Sequence, residues 1–461
     1  MRLAVARATM PRVVLLISTY DLGRQPFGLA SAAAALRAAG AEVVCADLAK
    51  ERLSEAAMRR ATAVAFFLPM HTATRLAMPV IDQVHAVNPD RRLIAYGLYA
   101  PLNAALLREH GVSVIIGGEF EEALVASVVG ETSGAGGPTA GAPTARVPRV
   151  QFLVPDRQGL PALTKYATLQ WGTERRTVGY TEASRGCKHR CRHCPIVPVY
   201  DGRFRVVPVD IVMADVRAQV AAGARHVTFG DPDFFNGIGH ALAVIERFAA
   251  EFTGVSYDVT IKVEHLIQYA SELPRLRDTG CAFVTTAVEA VDDRILARLE
   301  KGHTRADFER VVAATRAIGL TLAPTFVAFT PWTTLEGYCD LLQTIDRLGL
   351  AEHVSPVQLA IRLLVTEGSR LLELPDVRAV MQPFSPRSLT YPWIHVDPRV
   401  DELQKRVEAF VGVNLSASRR ERFARVWSFA HEAAGLAAEQ YIEPDIPARA
   451  AIPYLNEPWY C

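Results

Sequence analysis

Residues 181–202, TEASRGCKHRCRHCPIVPVYDG, set Cys187, Cys191 and Cys194 in a C-x3-C-x2-C array beside two histidines and three arginines. Three thiols leave a fourth coordination position open. The array follows directly on the run RTVGYTEA (176–183), whose β-branched and alternating apolar residues read as a strand. A loop rich in ligand atoms at the C-terminal end of a strand is where parallel β/α folds gather their chemistry.

Downstream, HVTFGDPD, SYDVTIKVE, CAFVTTAVEA, LTLAPTFVAFT and VSPVQLAIRLLV alternate with stretches of helical periodicity such as DIVMADVRAQVAAG and ADFERVVAATRAIG. With RTVGYTEA they make six β/α units, so residues 149–397 are expected to form a partial parallel (β/α)6 barrel. From residue 398 the pattern turns helical, in PRVDELQKRVEAFVG and ASRRERFARVWSFAHEAAGLAAEQ, and then Pro-rich, in EPDIPARAAIPYLNEPWYC. Residues 398–461 are therefore expected to be a helical C-terminal region with a Cys-ending tail. Upstream, residues 130–148, GETSGAGGPTAGAPTARVP, hold almost no large apolar residue and read as a flexible linker. Before it, PRVVLLIST, AEVVCADL, ATAVAFFLP, RRLIAYG and VSVIIGGE are short β-type runs separated by helical stretches. Residues 12–129 are thus expected to be a doubly wound, Rossmann-like α/β domain.

The chain of 461 residues is 50% hydrophobic, enough to bury substantial cores in two or three domains. Lys plus Arg (50) and Asp plus Glu (49) nearly cancel to a formal charge of +1. No global field gathers nucleic acid, so a small-molecule substrate is expected rather than tRNA or DNA. The longest apolar runs, VVLLIS and AVAFFL, fall far short of the roughly 20 residues that span a bilayer, and the N-terminus shows no signal-peptide pattern. Those features predict a cytoplasmic protein with no membrane partner. Seven cysteines, three of them clustered, do not resemble the disulfide framework of a small secreted domain.

Two centres compete for the cysteine array. A structural zinc ion needs a closed tetrahedron, and His189 or His193 would be its nominal fourth ligand although both lie inside the tight loop. A cubane iron–sulfur cluster needs only the three thiolates and leaves one iron exposed to a further ligand.

The array resembles the signature of the radical S-adenosylmethionine (SAM) superfamily, C-x3-C-x-Φ-C, with His193 at the often aromatic Φ position. HVTFGDPDFF is similar to the second strand and SAM-amino motif of that family, VEAVDDRILARLEKGHT to its segment around a strand-end Glu, and FVAFTPWTTLEGY stands where relatives carry G-x-PGET. The resemblance implies that Cys187, Cys191 and Cys194 ligate a 4Fe-4S cluster, that SAM chelates the open iron, and that a flavodoxin- or ferredoxin-type donor supplies electrons. It implies further that Gly230 and Asp231 approach the methionine amino group, that Glu289 meets the ribose or nearby polar atoms, and that Lys262 pairs with the SAM carboxylate. Read from the residues alone, Glu289 and Lys262 are equally well strand-end surface charges.

QPFGLASAAAALRAAGAEVVCADL and GGEFEEALVASV resemble the cobalamin-binding domain that precedes many radical SAM barrels, which brings cobalamin in as a candidate cofactor. The D-x-H-x-x-G motif for a lower cobalt ligand is absent, and AYGLYAP, with Tyr96, Leu98 and Tyr99, replaces a common GG-x-P turn. The whole chain, ending in IPYLNEPWYC, resembles the CUAEP/CCAEP-tail radical SAM group, whose tails carry Cys-Sec or Cys-Cys before Ala-Glu-Pro. That resemblance implies a selenocysteine codon after Cys461 and a role for Cys461 as a soft catalytic group that could hold trivalent arsenic. The expected activity is reductive cleavage of SAM to modify, or transfer a group to, a small molecule. The alternatives are cobalamin-dependent methyl transfer, transfer of SAM's 3-amino-3-carboxypropyl group to trivalent arsenic, and a non-catalytic iron–sulfur protein.

Overall fold

The computed structural model describes residues 12–129, 151–413, 418–436 and 453–456. Residues 130–148, read as a linker, and Cys461 lie outside the described residues. The chain divides between Lys165 and Tyr166 into two compact units.

In the first unit, strands β1 (Val13–Ser18), β2 (Glu42–Asp47), β3 (Ala63–Phe67), β4 (Arg92–Tyr96) and β5 (Val114–Ile116) form a parallel sheet in the order β2-β1-β3-β4-β5. Strand β1 is apolar from Val13 to Ile17 and buried along its whole length because both of its faces are covered. Val14 and Leu16 enter one core, with Leu29, Leu36, Tyr96 and Leu124, while Leu15 and Ile17 enter the other, with Val64, Ile81 and Leu93. Residues 151–165 pack on this unit: Asp156 N–H donates to the Ala30 carbonyl (3.0 Å) and the Asp156 carboxylate pairs with Arg37 at 2.8 Å.

In the second unit, strands β6 (Thr168–Trp171), β7 (Glu174–Thr181), β10 (His226–Phe229), β11 (Ser256–Thr260), β12 (Cys281–Glu289), β13 (Leu322–Phe326) and β14 (Tyr454–Asn456) form one sheet, ordered β13-β12-β11-β10-β7-β6-β14. Strands β7 and β10 to β13 run parallel, while β6 and β14 close one edge antiparallel. Two short strands, β8 (Ser184–Gly186) and β9 (Phe204–Val206), pair antiparallel on their own. This is the expected curled half-barrel, with one difference. VSPVQLAIRLLV makes a 3-10 turn at Pro356–Leu359 and a single parallel bridge, Phe329 to Arg362, instead of a sixth strand. Pro356 interrupts the run because it has no N–H for a ladder, and the Gln358 side chain takes the ladder's place by accepting from Phe326 N–H at 3.1 Å. The helical C-terminal region comprises Pro398–Val413 and Arg419–Ala433, the second opened by a Ser418/Glu421 capping box.

Candidate active site

The cysteine loop leaves the sheet at the C-terminal end of β7, and a buried carboxylate fixes its departure. Asp231, two residues past β10, accepts hydrogen bonds from Ala183 N–H (3.0 Å) and from the Ser184 hydroxyl. Burial pushes the Asp231 pKa up to about 6, against the lowering effect of those donors. Gly186 closes the β8–β9 ribbon at φ +77°, and a Cβ there would stand 2.5 Å from the Arg203 carbonyl oxygen, so the position requires glycine. Gly230 has the Tyr180 ring where a side chain would be, with the phenol oxygen 1.8 Å from an ideal Cβ.

The outer side of the loop is pinned by arginines. Arg192 N–H donates to the Leu299 carbonyl at 3.0 Å, its guanidinium donates to the Arg298 carbonyl at 2.8 Å, and it pairs with Glu300 at 2.6 Å. Arg370 donates to the Arg190 carbonyl at 2.6 Å and to Glu300 at 2.7 Å. Loop geometry is therefore set by contacts with two distant segments, which is what holding three ligands at fixed separations requires.

Cys187 and Cys191 are buried and Cys194 is partly so. Burial pushes the Cys187 thiol up to about 11 and the Cys194 thiol up to about 12, and the neighbouring cysteines add to both shifts. Metal-free, these thiols stay protonated at neutral pH, and metal binding must displace their protons. The matching positive charge is already buried nearby. Lys262 Nζ lies 3.8 Å from Cys191 Sγ and 3.3 Å from Glu264 Oε2. Lys301 Nζ pairs with Glu289 Oε1 at 3.2 Å; burial works against its ammonium, but Glu289 and the Cys191 and Cys194 sulfurs hold its pKa above the usual value.

Glu289 ends β12 at φ +71°, just after a register shift against β13. A non-glycine residue in that region is strained and is held there by its surroundings. Its Oε1 accepts from His193 Nε2 at 3.1 Å as well as from Lys301. Burial opposes its charge, yet Lys301 and His193 keep its carboxyl well below the ordinary range. Glu289 also lines a cleft with Asp292, Trp332 and Thr333 beyond the ends of β12 and β13.

The sequence-derived residues thus meet in part. Lys262, His193 and Glu289 come together with the cysteines, whereas the Asp231 carboxylate is engaged by the loop's own backbone. Three further residues join this network of buried charge and thiols without having been singled out from the sequence. Lys301 is one; His303, pushed down to about 4 by burial and by the Lys301 and Lys262 ammonium groups, is another. Asn236, whose Oδ1 accepts from Lys188 N–H at 3.2 Å and lies 3.8 Å from Cys187 Sγ, is the third.

The choice between one metal ion and a cluster follows from the ligand set. Among the described residues, His189, Asp233 and His265 gather ligand atoms within 4.8 Å of one another beside the cysteine loop. Thiolates on a single tetrahedral zinc stand about 3.8 Å apart, from Zn–S bonds of about 2.3 Å. Three thiols with two buried ammonium groups beside them fit a cubane cluster that leaves one iron open.

Residues 181–346 match the Radical SAM superfamily. A tRNA-2-methylthio-N(6)-dimethylallyladenosine synthase from Methylococcus capsulatus is 28% identical over 207 residues, covering 42% of this chain and 45% of the relative. The chain spans about half the length of the curated relatives it matches. Among solved structures, the cobalamin-dependent SAM radical enzyme OxsB with aqua-cobalamin bound aligns over 88% of this chain and 67% of its own, at 14% identity and a TM-score of 0.66. The radical SAM methyltransferase TsrM from Kitasatospora setae aligns over 73% and 71%, at 19% identity and a TM-score of 0.59. At these identities the likeness is one of fold. The cysteine array, its place at the end of β7 and the match over residues 181–346 agree: the chain carries a domain of the radical SAM superfamily.

Proposed function

We propose that the protein cleaves SAM reductively at a 4Fe-4S cluster held by Cys187, Cys191 and Cys194 and uses the product radical to modify, or transfer a group to, a small molecule. The single observation that carries this reading is the three-thiol set at the end of β7, backed by the buried ammonium groups of Lys262 and Lys301. When bound, the cluster supplies one electron to the sulfonium of SAM, so that a C–S bond breaks to leave a thioether and a carbon radical; a flavodoxin- or ferredoxin-type donor replaces that electron. The chain's own residues bind and orient. Lys262 Nζ, buried beside Cys191, is a cation placed to offset thiolate charge or to meet a carboxylate of SAM. Lys301 and His193 hold Glu289 ionised as an acceptor for hydroxyl or ammonium donors. Asp231 positions the loop from below, and Asn236 sets the entry to Cys187.

In the first unit the space between the sheet and two of its helices is filled by aromatic rings, and no step is routed through cobalamin. A corrin with its nucleotide arm needs open volume at the C-terminal ends of the parallel strands. There, Phe67, Tyr96 and Phe120 are packed together, with ring centroids 5.4 Å apart for Phe67–Tyr96 and 4.9 Å for Tyr96–Phe120. Tyr96 is completely buried and its hydroxyl donates to the Gly28 carbonyl at 3.3 Å, in the helix Phe27–Ala38. A Cβ on Gly28 would already stand 2.2 Å from the Phe67 ring. The rings close the space between that helix, the helix Glu121–Val129 and the sheet.

Anaerobic reconstitution with iron and sulfide tests the cluster. The expected result is about four irons per chain and an absorption change on adding SAM, both lost in Cys191→Ala. A zinc-loaded, iron-free protein that still turns over SAM contradicts it.

A further inference from the structure

A second buried constellation lies beside the cysteine loop and is not used by the reading above. His189 sits midway between Cys187 and Cys191, Asp233 lies just past β10, and His265 is in the helix Val263–Gln268 that follows β11. Their ligand atoms gather within 4.8 Å of one another. Asp233 Oδ2 is 2.7 Å from His265 Nδ1 and 3.4 Å from His189 Nε2. The side chains of Asp233 and His265 are fully buried, and that of His189 is 12% exposed.

Asp233 Oδ2, His189 Nε2 and both ring nitrogens of His265 have no hydrogen-bond partner. At 2.7 Å His265 Nδ1 and Asp233 Oδ2 are close enough to pair as ions, and the same oxygen faces His189 Nε2, so the three ligand atoms gather about one point. Buried polar atoms are satisfied in the great majority of cases, and Asp233 Oδ2, His189 Nε2 and one ring nitrogen of His265, gathered in one spot, call for a common partner. Donors that present lone pairs to a single point are the preparation for a cation. The remaining polar atoms of Asp233 and His189 are already assigned. Asp233 Oδ1 accepts from Phe235 N–H at 3.3 Å, which turns Oδ2 inward. His189 Nδ1 faces Glu264 Oε2 at 3.4 Å, the carboxylate that commonly stands behind a metal-bound imidazole.

We propose that His189, Asp233 and His265 form a mononuclear divalent-metal site, best suited to zinc, that ties the cysteine loop to the segments after β10 and β11. Two imidazoles and one carboxylate suit zinc and leave a fourth position for water. The site uses nitrogen and oxygen donors only and is distinct from the three thiols. Its role is to hold His189, and with it the Cys187–Cys191 segment, in a fixed position.

The test uses anaerobically reconstituted full-length protein incubated with zinc and then dialysed. Elemental analysis is expected to find about one zinc beside about four irons per chain, and zinc-edge X-ray absorption to find nitrogen or oxygen neighbours near about 2.0 Å with no sulfur shell near about 2.3 Å. Asp233→Asn and His265→Asn are expected to lose at least about tenfold in zinc affinity while the iron stays, as loss of one ligand from a three-ligand site requires. Wild-type protein with four irons and no zinc overturns the proposal. So does a sulfur shell, which places zinc on the cysteines, or undiminished zinc in both variants. The absorption spectrum is read on the wild type, so it decides the matter even if the variants fold poorly.

Discussion

Glu289 and Lys301 show how much of the site rests on charge buried in pairs, and Asp231 how much on a buried carboxyl held by neutral donors. Lys301 is almost fully buried and its partner carboxylate is held ionised, so removing the ammonium leaves an uncompensated buried charge. Lys301→Met is expected to cost about 3–5 kcal/mol in urea denaturation of the metal-free chain, and Glu289→Gln added to it to recover part of that loss. A Lys301→Met protein within about 0.5 kcal/mol of wild type contradicts the pairing. Asp231 works in the opposite direction. Its pKa is raised from 3.8 to about 6, so the folded state holds its proton longer, and stability falls as pH rises through that window. The loss is at most about 3 kcal/mol, from about two units at about 1.4 kcal/mol each. Asp231→Asn keeps an acceptor for Ala183 N–H and is expected to flatten the stability profile between pH 3.8 and about 6, while Asp231→Ala strands that donor and lowers stability at every pH. A stability profile for Asp231→Asn that keeps the wild-type slope contradicts the assignment. At this scale the sequence was only partly legible. The cysteines are readable because their spacing is itself the chemistry. Lys301 stands in a segment where a lysine ordinarily faces water, and only the fold shows it buried against Glu289.

The elements were easier to read than their ends. Strand β1 and strand β12 follow from apolar runs that leave little choice. The sixth expected barrel strand did not form because Pro356 breaks its ladder and Gln358 satisfies β13 with a side chain, a substitution that periodicity does not reveal. Strand β14 was missed for the opposite reason: Tyr454–Asn456 is three residues in a Pro-rich tail, and its pairing with β6 is entirely non-local. The helix Phe27–Ala38 carries the clearest consequence for cofactor use. Its Gly28 meets Phe67 and Tyr96 in a filled core, although the surrounding sequence resembles a cobalamin-binding domain. Equilibrium dialysis with hydroxocobalamin is expected to show no binding to the wild-type chain, and Tyr96→Ala to cost about 3–5 kcal/mol as a cavity in a packed core. Stoichiometric binding by the wild type contradicts the packing argument.

Across the whole molecule, sequence pattern anticipated a doubly wound unit followed by a half-barrel, because alternating β and α segments admit few architectures. The substrate was not legible, since it is set by side chains at strand ends and not by the fold. No helix among the described residues is long and apolar enough to cross a membrane. The central claim is that the thiols of Cys187, Cys191 and Cys194 hold a cluster with an iron open to SAM. The most direct measurement is chromatographic analysis of SAM-derived products after anaerobic incubation of the reconstituted protein with a low-potential reductant. The account predicts a reductive cleavage product: 5′-deoxyadenosine if the adenosyl C–S bond breaks, or methylthioadenosine if the aminocarboxypropyl bond breaks. Alanine at any of the three cysteines should abolish it. Protein with about four irons per chain that leaves SAM intact, or cysteine variants that cleave it as well as wild type, would contradict the claim.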